Sequence, residues 1–301
     1  MKRGVVVNIL DLLNKMEEYD ASDLHIQSGK VPKLRVQGIM TDLNYLPLDD
    51  YAVDALITDM HPSDLVLGGY MDKKTTDFRF ACTYGMYRVN ISSCDGGRKI
   101  TMRRLNKKVS NYTELGFEAG IFEKINTMKH GLILITGPTN SGKSTTLAAI
   151  ITMLAQHNIN IITLEDPIEY FLTGSGGTLI TQRELGADFS DFPLAIKAAL
   201  RQDPDVLMVG EMRDLETIKA GLLCAETGHL VLATLHTSDI PSTLSRIVLT
   251  FNLSERSYIQ SLLQESLKCI IAQTLVYNEE TKKLKLKYDY KFFDKNTDFN
   301  F

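Results

Sequence analysis

The chain has 301 residues, enough for two domains with ordinary cores and no stapling disulfides. Its 33 Lys and Arg face 37 Asp and Glu, and the net charge of -4 argues against a nucleic-acid coat or a polybasic membrane binder. Hydrophobic residues at 44% and charged residues at 23% give the balance of a soluble globule. Cys82, Cys94, Cys224 and Cys269 form no C-x-x-C pair, so reduced thiols in a cytosolic protein are expected, not a zinc knuckle, redox pair or disulfide framework. The start, MKRGVVVNILDLLNKMEEY, is basic and then apolar, but Asp11 and Lys15 interrupt the run, so it reads as neither signal peptide nor anchor. No stretch reaches the ~18 apolar residues of a membrane helix.

In chain order, Ile9, Leu12, Leu13, Met16 and Tyr19 recur at helical spacing, which predicts an amphipathic helix over 8–19. Short alternating runs follow at 24–27, 33–36, 76–81, 87–92 and 99–103, punctuated by Gly29, Gly38, Gly85, Gly96 and Gly97. They predict a small antiparallel sheet, with a further helix over 49–60 stopped by Pro62. Residues 107–116 are polar and aperiodic and read as a linker, so 1–106 and 117–301 are the expected domains. Beyond it, near-continuous apolar runs at 131–136, 160–164, 206–209 and 230–235 alternate with helical patterns, the mark of a parallel sheet covered on both faces. Residues 254–275 read as one amphipathic helix, with Ile259, Leu262, Leu263, Leu267, Ile270 and Ile271 on one side. The tail KKLKLKYDYKFF alternates and predicts a terminal strand.

Residues 137–144 read GPTNSGKS, which fits G-x-x-x-x-G-K-[ST], with an apolar strand running in and a helix from Thr145 running out. Such a loop curls backbone N–H groups around phosphate oxygens, and the helix N-terminus adds positive potential. Gly137, Pro138, Thr139, Asn140, Ser141, Gly142, Lys143, Ser144 and Thr145 are therefore the candidate ATP-binding residues. Lys143 would reach the β- and γ-phosphates, the Ser144 hydroxyl would ligate Mg²⁺, Pro138 stiffens the turn and Asn140 tolerates a left-handed backbone.

The strand over 160–164 ends in Glu165-Asp166-Pro167, that over 206–209 in Gly210-Glu211, and that over 230–235 in His236-Thr237. Ligands of open parallel sheets sit outside the carboxyl ends of the strands, so these groups converge on the loop's edge. Glu165 and Glu211 are both candidates to orient the attacking water or to hold Mg²⁺, directly or through water, and the spacing does not decide between them. Read singly, each acid is equally a helix cap or a solvated charge, and His229 and His236 are equally structural. Near a γ-phosphate an imidazole could sense hydrolysis. Arg88 in YRVNIS and Arg103 in ITMRR are either surface residues of strands or phosphate clamps, for which a planar guanidinium is suited.

GPTNSGKSTT, ITLEDPIEY, ALRQDPDVLMVGEMRDLET and ETGHLVLATLHT, in this order, resemble the Walker A, Asp box, Walker B and His box of the secretion-type ATPases of type II secretion and type IV pili. ASDLHIQSG and YRVN extend the resemblance over roughly residues 8–276. The spelling GEMRDLET followed by AETGHLV is most similar to the PilT-type retraction ATPases of twitching motility. The resemblance implies a smaller PAS-like α+β domain before a RecA-like P-loop ATPase domain of the α/β class with a mainly parallel sheet. It implies a cytoplasmic homo-hexamer with ATP and Mg²⁺ between domains, working through an inner-membrane platform protein, with indirect membrane contact and no direct nucleic-acid partner. It also places Arg88 and Arg103 where the family's arginines reach the nucleotide, and Lys143, Ser144, Glu165, Glu211, His229 and His236 on motif positions. Asn140 stands where this Walker A commonly has Gly, and the loop CDGGRK (94–99) lacks the family's NRG-like spelling. A lysine-rich strand follows the last helix where the retraction branch has a helical region with an AIRNLIRE-like motif. The expected function is ATP hydrolysis coupled to pilus retraction. An assembly, secretion or conjugation motor and a low-turnover regulatory subunit are the alternatives.

Overall fold

The structure, a computed structural model, describes residues 7–62, 64–105, 109–279, 283–294, 297 and 299. The basic start and the first residues of the expected linker lie outside the described residues. The chain forms two compact units, Met1–Lys107 and Lys108–Phe301.

The first unit contains α1 (Ile9–Glu18), β1 (Asp23–Gln27), β2 (Lys33–Val36), β3 (Ile39–Asp42), α2 (Asp50–Asp59), α3 (Asp64–Lys73), β4 (Thr75–Cys82), β5 (Gly85–Cys94) and β6 (Gly97–Arg104). The strands make one antiparallel sheet in the order β3-β2-β1-β6-β5-β4. Alternation along each strand sends Leu24, Ile26, Val89, Ile91, Ile100 and Met102 to one face. There they pack on Ile9, Leu12, Leu13 and Met16 of α1 and on Val53 and Leu56 of α2. The predicted strands and both predicted helices are present. The short β3, exposed throughout, gave no alternation to read.

The second unit contains α4 (Ala119–Asn126), β7 (Gly131–Thr136), α5 (Lys143–Leu154), β8 (Asn160–Glu165), β9 (Leu179–Glu184), α6 (Phe192–Ala199), β10 (Val206–Val209), α7 (Leu215–Glu226), β11 (Leu230–Leu235), α8 (Ile240–Thr250), α9 (Leu253–Ser266), β12 (Leu267–Asn278) and β13 (Lys283–Phe292). Its sheet runs β13-β12-β7-β11-β10-β8-β9. Every pair from β12 through β9 is parallel, and β13 closes one edge antiparallel. Strands buried on both sides explain the continuous apolar runs. Leu132 and Leu134 of β7 join one core with α6 to α9, and Ile133 and Ile135 join the other with α4 and α5.

The single helix expected over 254–275 is corrected: α9 stops at Ser266 and Leu267 opens β12. Leu267, Ile270 and Ile271 do recur at helical spacing, but Ile270 faces one core and Cys269 and Ile271 the other. A central strand's continuous apolar run satisfies both periods, and pairing with β7 decides the outcome.

Candidate active site

β7, β11, β10 and β8 are parallel neighbours, so their carboxyl ends share one edge. The residues that leave those ends line a cleft of about 470 Å³. The phosphate loop leaves β7 through Gly137 (φ +149°), turns at Asn140 (φ +63°) and enters α5 at Gly142 (φ +86°). These left-handed positions suit glycine, and asparagine tolerates one of them. Ser144 and Thr145 line the cleft on the first turn of α5. The Thr145 hydroxyl lies 2.7 Å from the hydroxyl of Tyr170.

Lys143 is folded back into its own loop. Its Nζ donates to the carbonyls of Gly137 at 2.8 Å and Pro138 at 2.9 Å and lies 3.3 Å from His236 Nδ1. Burial lowers the affinity of this ammonium for its proton, and Glu211 and Glu169 oppose the effect. His236 Nε2 lies 2.8 Å from Glu211 Oε1. One neutral tautomer serves both neighbours: Nε2–H donates to Glu211 and Nδ1 accepts from Lys143. The second oxygen of Glu211 accepts from Arg213 Nε at 2.8 Å, and Arg213 Nη1 lies 3.6 Å from Asp166.

Glu165 closes β8 and is only 8% exposed. Its Oε1 accepts from the Thr163 hydroxyl at 2.6 Å and from Gln182 Nε2 at 3.0 Å. Burial pushes its carboxyl up to about 7, despite those two bonds, and the charges of Glu169 and Glu184 add to the rise. A carboxyl at that level exchanges protons near neutrality.

Loop residues 139–145, Glu165, Glu211 and His236 are thus brought to one cleft, while Gly137 and Pro138 stand behind its lining. His229 is not. The two histidines flank the six-residue β11, which separates them by roughly 20 Å along the strand. His229 sits at the amino end of β11 beside the Cys224 carbonyl, 3.2 Å away. It therefore lies outside its own chain's cleft, since the strand read over 230–235 stands between the two histidines.

Arg88 and Arg103 lie on the polar face of the first unit's sheet. Strand register places Arg35, Asp23, Arg103, Arg88 and Arg79 side by side across five strands. Asp23, 3% exposed, accepts from Arg103 Nε at 2.7 Å, and Arg35 Nε lies 4.0 Å from it. Burial would raise the Asp23 carboxyl, but the bonds from Ser22 and Arg103 outweigh it and hold it below its ordinary value. Arg88 lies 3.4 Å from Asp77. Arg79, Tyr170, Gln182 and Arg213 escaped the sequence reading. Only Arg213, inside GEMRD, and Tyr170, inside EDPIEY, had a motif to mark them.

A phosphate loop on a parallel sheet, with acids from neighbouring strand ends in the same cleft, defines a P-loop ATPase with a RecA-like domain. The chain belongs to the family described as Type II/IV secretion system protein, whose model matches residues 64–298. It is 41% identical over 272 residues to the Type IV pilus retractation ATPase PilT of Pseudomonas aeruginosa, covering 90% of this chain and 78% of that one. A crystal structure of the pilus retraction motor PilT with bound ADP superposes with a TM-score of 0.86 at 35% identity, over 96% of this chain and 84% of that one. The ATPase DotB of Legionella pneumophila gives 0.84 at 30% identity, over 98% and 82%.

Proposed function

We propose that the chain is a motor ATPase that turns ATP hydrolysis into mechanical work on a type IV pilus, in the direction of retraction. The observation that carries the hydrolytic half is the convergence of Lys143, Glu165, Glu211 and His236 on one cleft beneath the phosphate loop. The likeness to PilT supplies the direction.

The cleft's chemistry suits a nucleotide triphosphate. Ser141 Oγ is buried with no hydrogen-bond partner among the described residues, a hydroxyl suited to a phosphate oxygen. Lys143 holds carbonyl partners that it can exchange for phosphate oxygens. Ser144 and Glu211 offer hard oxygens to a Mg²⁺ that would be completed by phosphates and water. Among the described residues no group of three or more His, Cys, Asp or Glu forms a cation site by itself. When bound, that cation neutralises charge on the transferring phosphoryl group.

The chain's own residues supply the rest. We assign Glu211, held by His236 and Arg213, to orienting an attacking water, and Glu165 to taking its proton. The arginine row of the first unit's sheet fits an anionic partner, and we assign it to the nucleotide of a neighbouring subunit in a hexameric ring. A clamp supplied across an interface makes hydrolysis depend on closure between subunits, which is the working stroke. Among the described residues no helix is long and apolar enough to cross a membrane, so force would pass to the membrane through a platform partner.

Deletion of the gene should leave cells with excess pili that do not twitch, and Lys143→Ala should fail to restore movement where the wild-type gene does. Loss of pili would instead assign the motor to assembly.

A further inference from the structure

Gln273 lies on β12, outside every nucleotide-binding motif of the sequence, and is 2% exposed. Its Nε2 donates to the Ser141 carbonyl at 2.8 Å, and its Oε1 accepts from the Thr146 hydroxyl at 2.9 Å. Its backbone carbonyl lies so close to Gly137 that a Cβ there would come within 2.1 Å of it. One residue thus meets the phosphate loop at its entry, at its far turn and just beyond its end.

The chemistry at this position is restrictive. A buried primary amide needs both its donor and its acceptor satisfied, and here the loop satisfies each. A carboxylate would set an oxygen against the Ser141 carbonyl, and an aliphatic chain would leave that carbonyl and the Thr146 hydroxyl without this partner. The peptide between Ser141 and Gly142 is planar, so anchoring the Ser141 carbonyl on β12 turns the Gly142 N–H away from β12. The anchor is itself fixed, since Ala272 pairs with Thr136 on one side and Gln273 with Tyr288 on the other.

We infer that Gln273 is a positioning residue of the ATPase, bridging Ser141 and Thr146 so that the phosphate loop keeps its binding shape. The inference rests on the nucleotide reading above. Titration of the purified full chain with Mg-ADP by calorimetry tests it, with turnover measured alongside. Gln273→Leu keeps the bulk and removes both side-chain bonds, and it should raise the Kd for Mg-ADP about tenfold or more. At limiting Mg-ATP its turnover should fall by about the same factor, since the loop it supports carries Lys143 and Ser144. A merely structural glutamine would lower the melting temperature and leave the Kd unchanged, and that result overturns the inference. Should Gln273→Leu not fold, Thr146→Val decides: a Kd raised about threefold supports the bridge and an unchanged one overturns it. A wild-type chain that takes up no Mg-ADP overturns the nucleotide reading and the inference together. A wild type that binds beside variants that bind as tightly overturns the inference alone.

Discussion

Glu165 combines two properties that pull apart. It is nearly enclosed, yet among the described residues its hydrogen-bond donors are aimed at one oxygen. Burial dominates and raises its carboxyl from an ordinary 4.5 to about 7. The folded chain therefore holds a proton through a pH range in which the unfolded chain has released it. Stability from this group is full below the unfolded value and falls as pH rises through the folded one. Over that window the loss amounts to about 3 kcal/mol. Glu165→Gln, which cannot ionise, should flatten the decline in urea midpoint between pH 5 and pH 8 and should also depress turnover. An unchanged slope would show that Glu165 titrates as it does in the unfolded chain.

At the scale of elements, the cleft depends on how helices begin. α7 starts immediately after Glu211 and Arg213, and its cap, Asp214, accepts from the Thr217 N–H at 2.8 Å and the Thr217 hydroxyl at 2.7 Å. The same cap fixes where the Walker B turn ends. Asp214→Ala should cost about 1 kcal/mol in urea denaturation, with Asp214→Ser recovering most of it. Equal stability of the Ala variant would deny the cap a role. Elements of this kind are also where the sequence was legible and where it was not. The strand, loop and helix around GPTNSGKS could be read because glycine, lysine and hydroxyl each have a fixed job there. Glu165, Glu211 and His236 could be placed because a parallel sheet sends every carboxyl end to one edge. The change from α9 to β12 was hidden, because Leu267, Ile270 and Ile271 fit a helical stripe as well as a doubly buried strand. Gln273 was hidden with it, since its partners depend on β12 lying beside β7. The arginine row emerges only from strand register, which places Arg79 beside Arg88 and Arg88 beside Arg103.

At the scale of the molecule, two sheets carry complementary charge chemistry. The first unit's sheet presents guanidiniums in a row, and the second unit's sheet presents a phosphate loop with acids at its edge. Neither alone makes a motor in the proposed reading: the second binds and cleaves, and the first lets a neighbour regulate the cleavage. All of it requires that the cleft of the second unit hydrolyse ATP through Lys143 and Glu211. The most direct measurement is steady-state phosphate release from the purified, assembled chain given Mg-ATP, beside Lys143→Ala and Glu211→Gln. Turnover in the wild type, reduced about a hundredfold or more in both variants, is the predicted result. Wild-type rates in either variant, from protein that is folded and assembled, would contradict it.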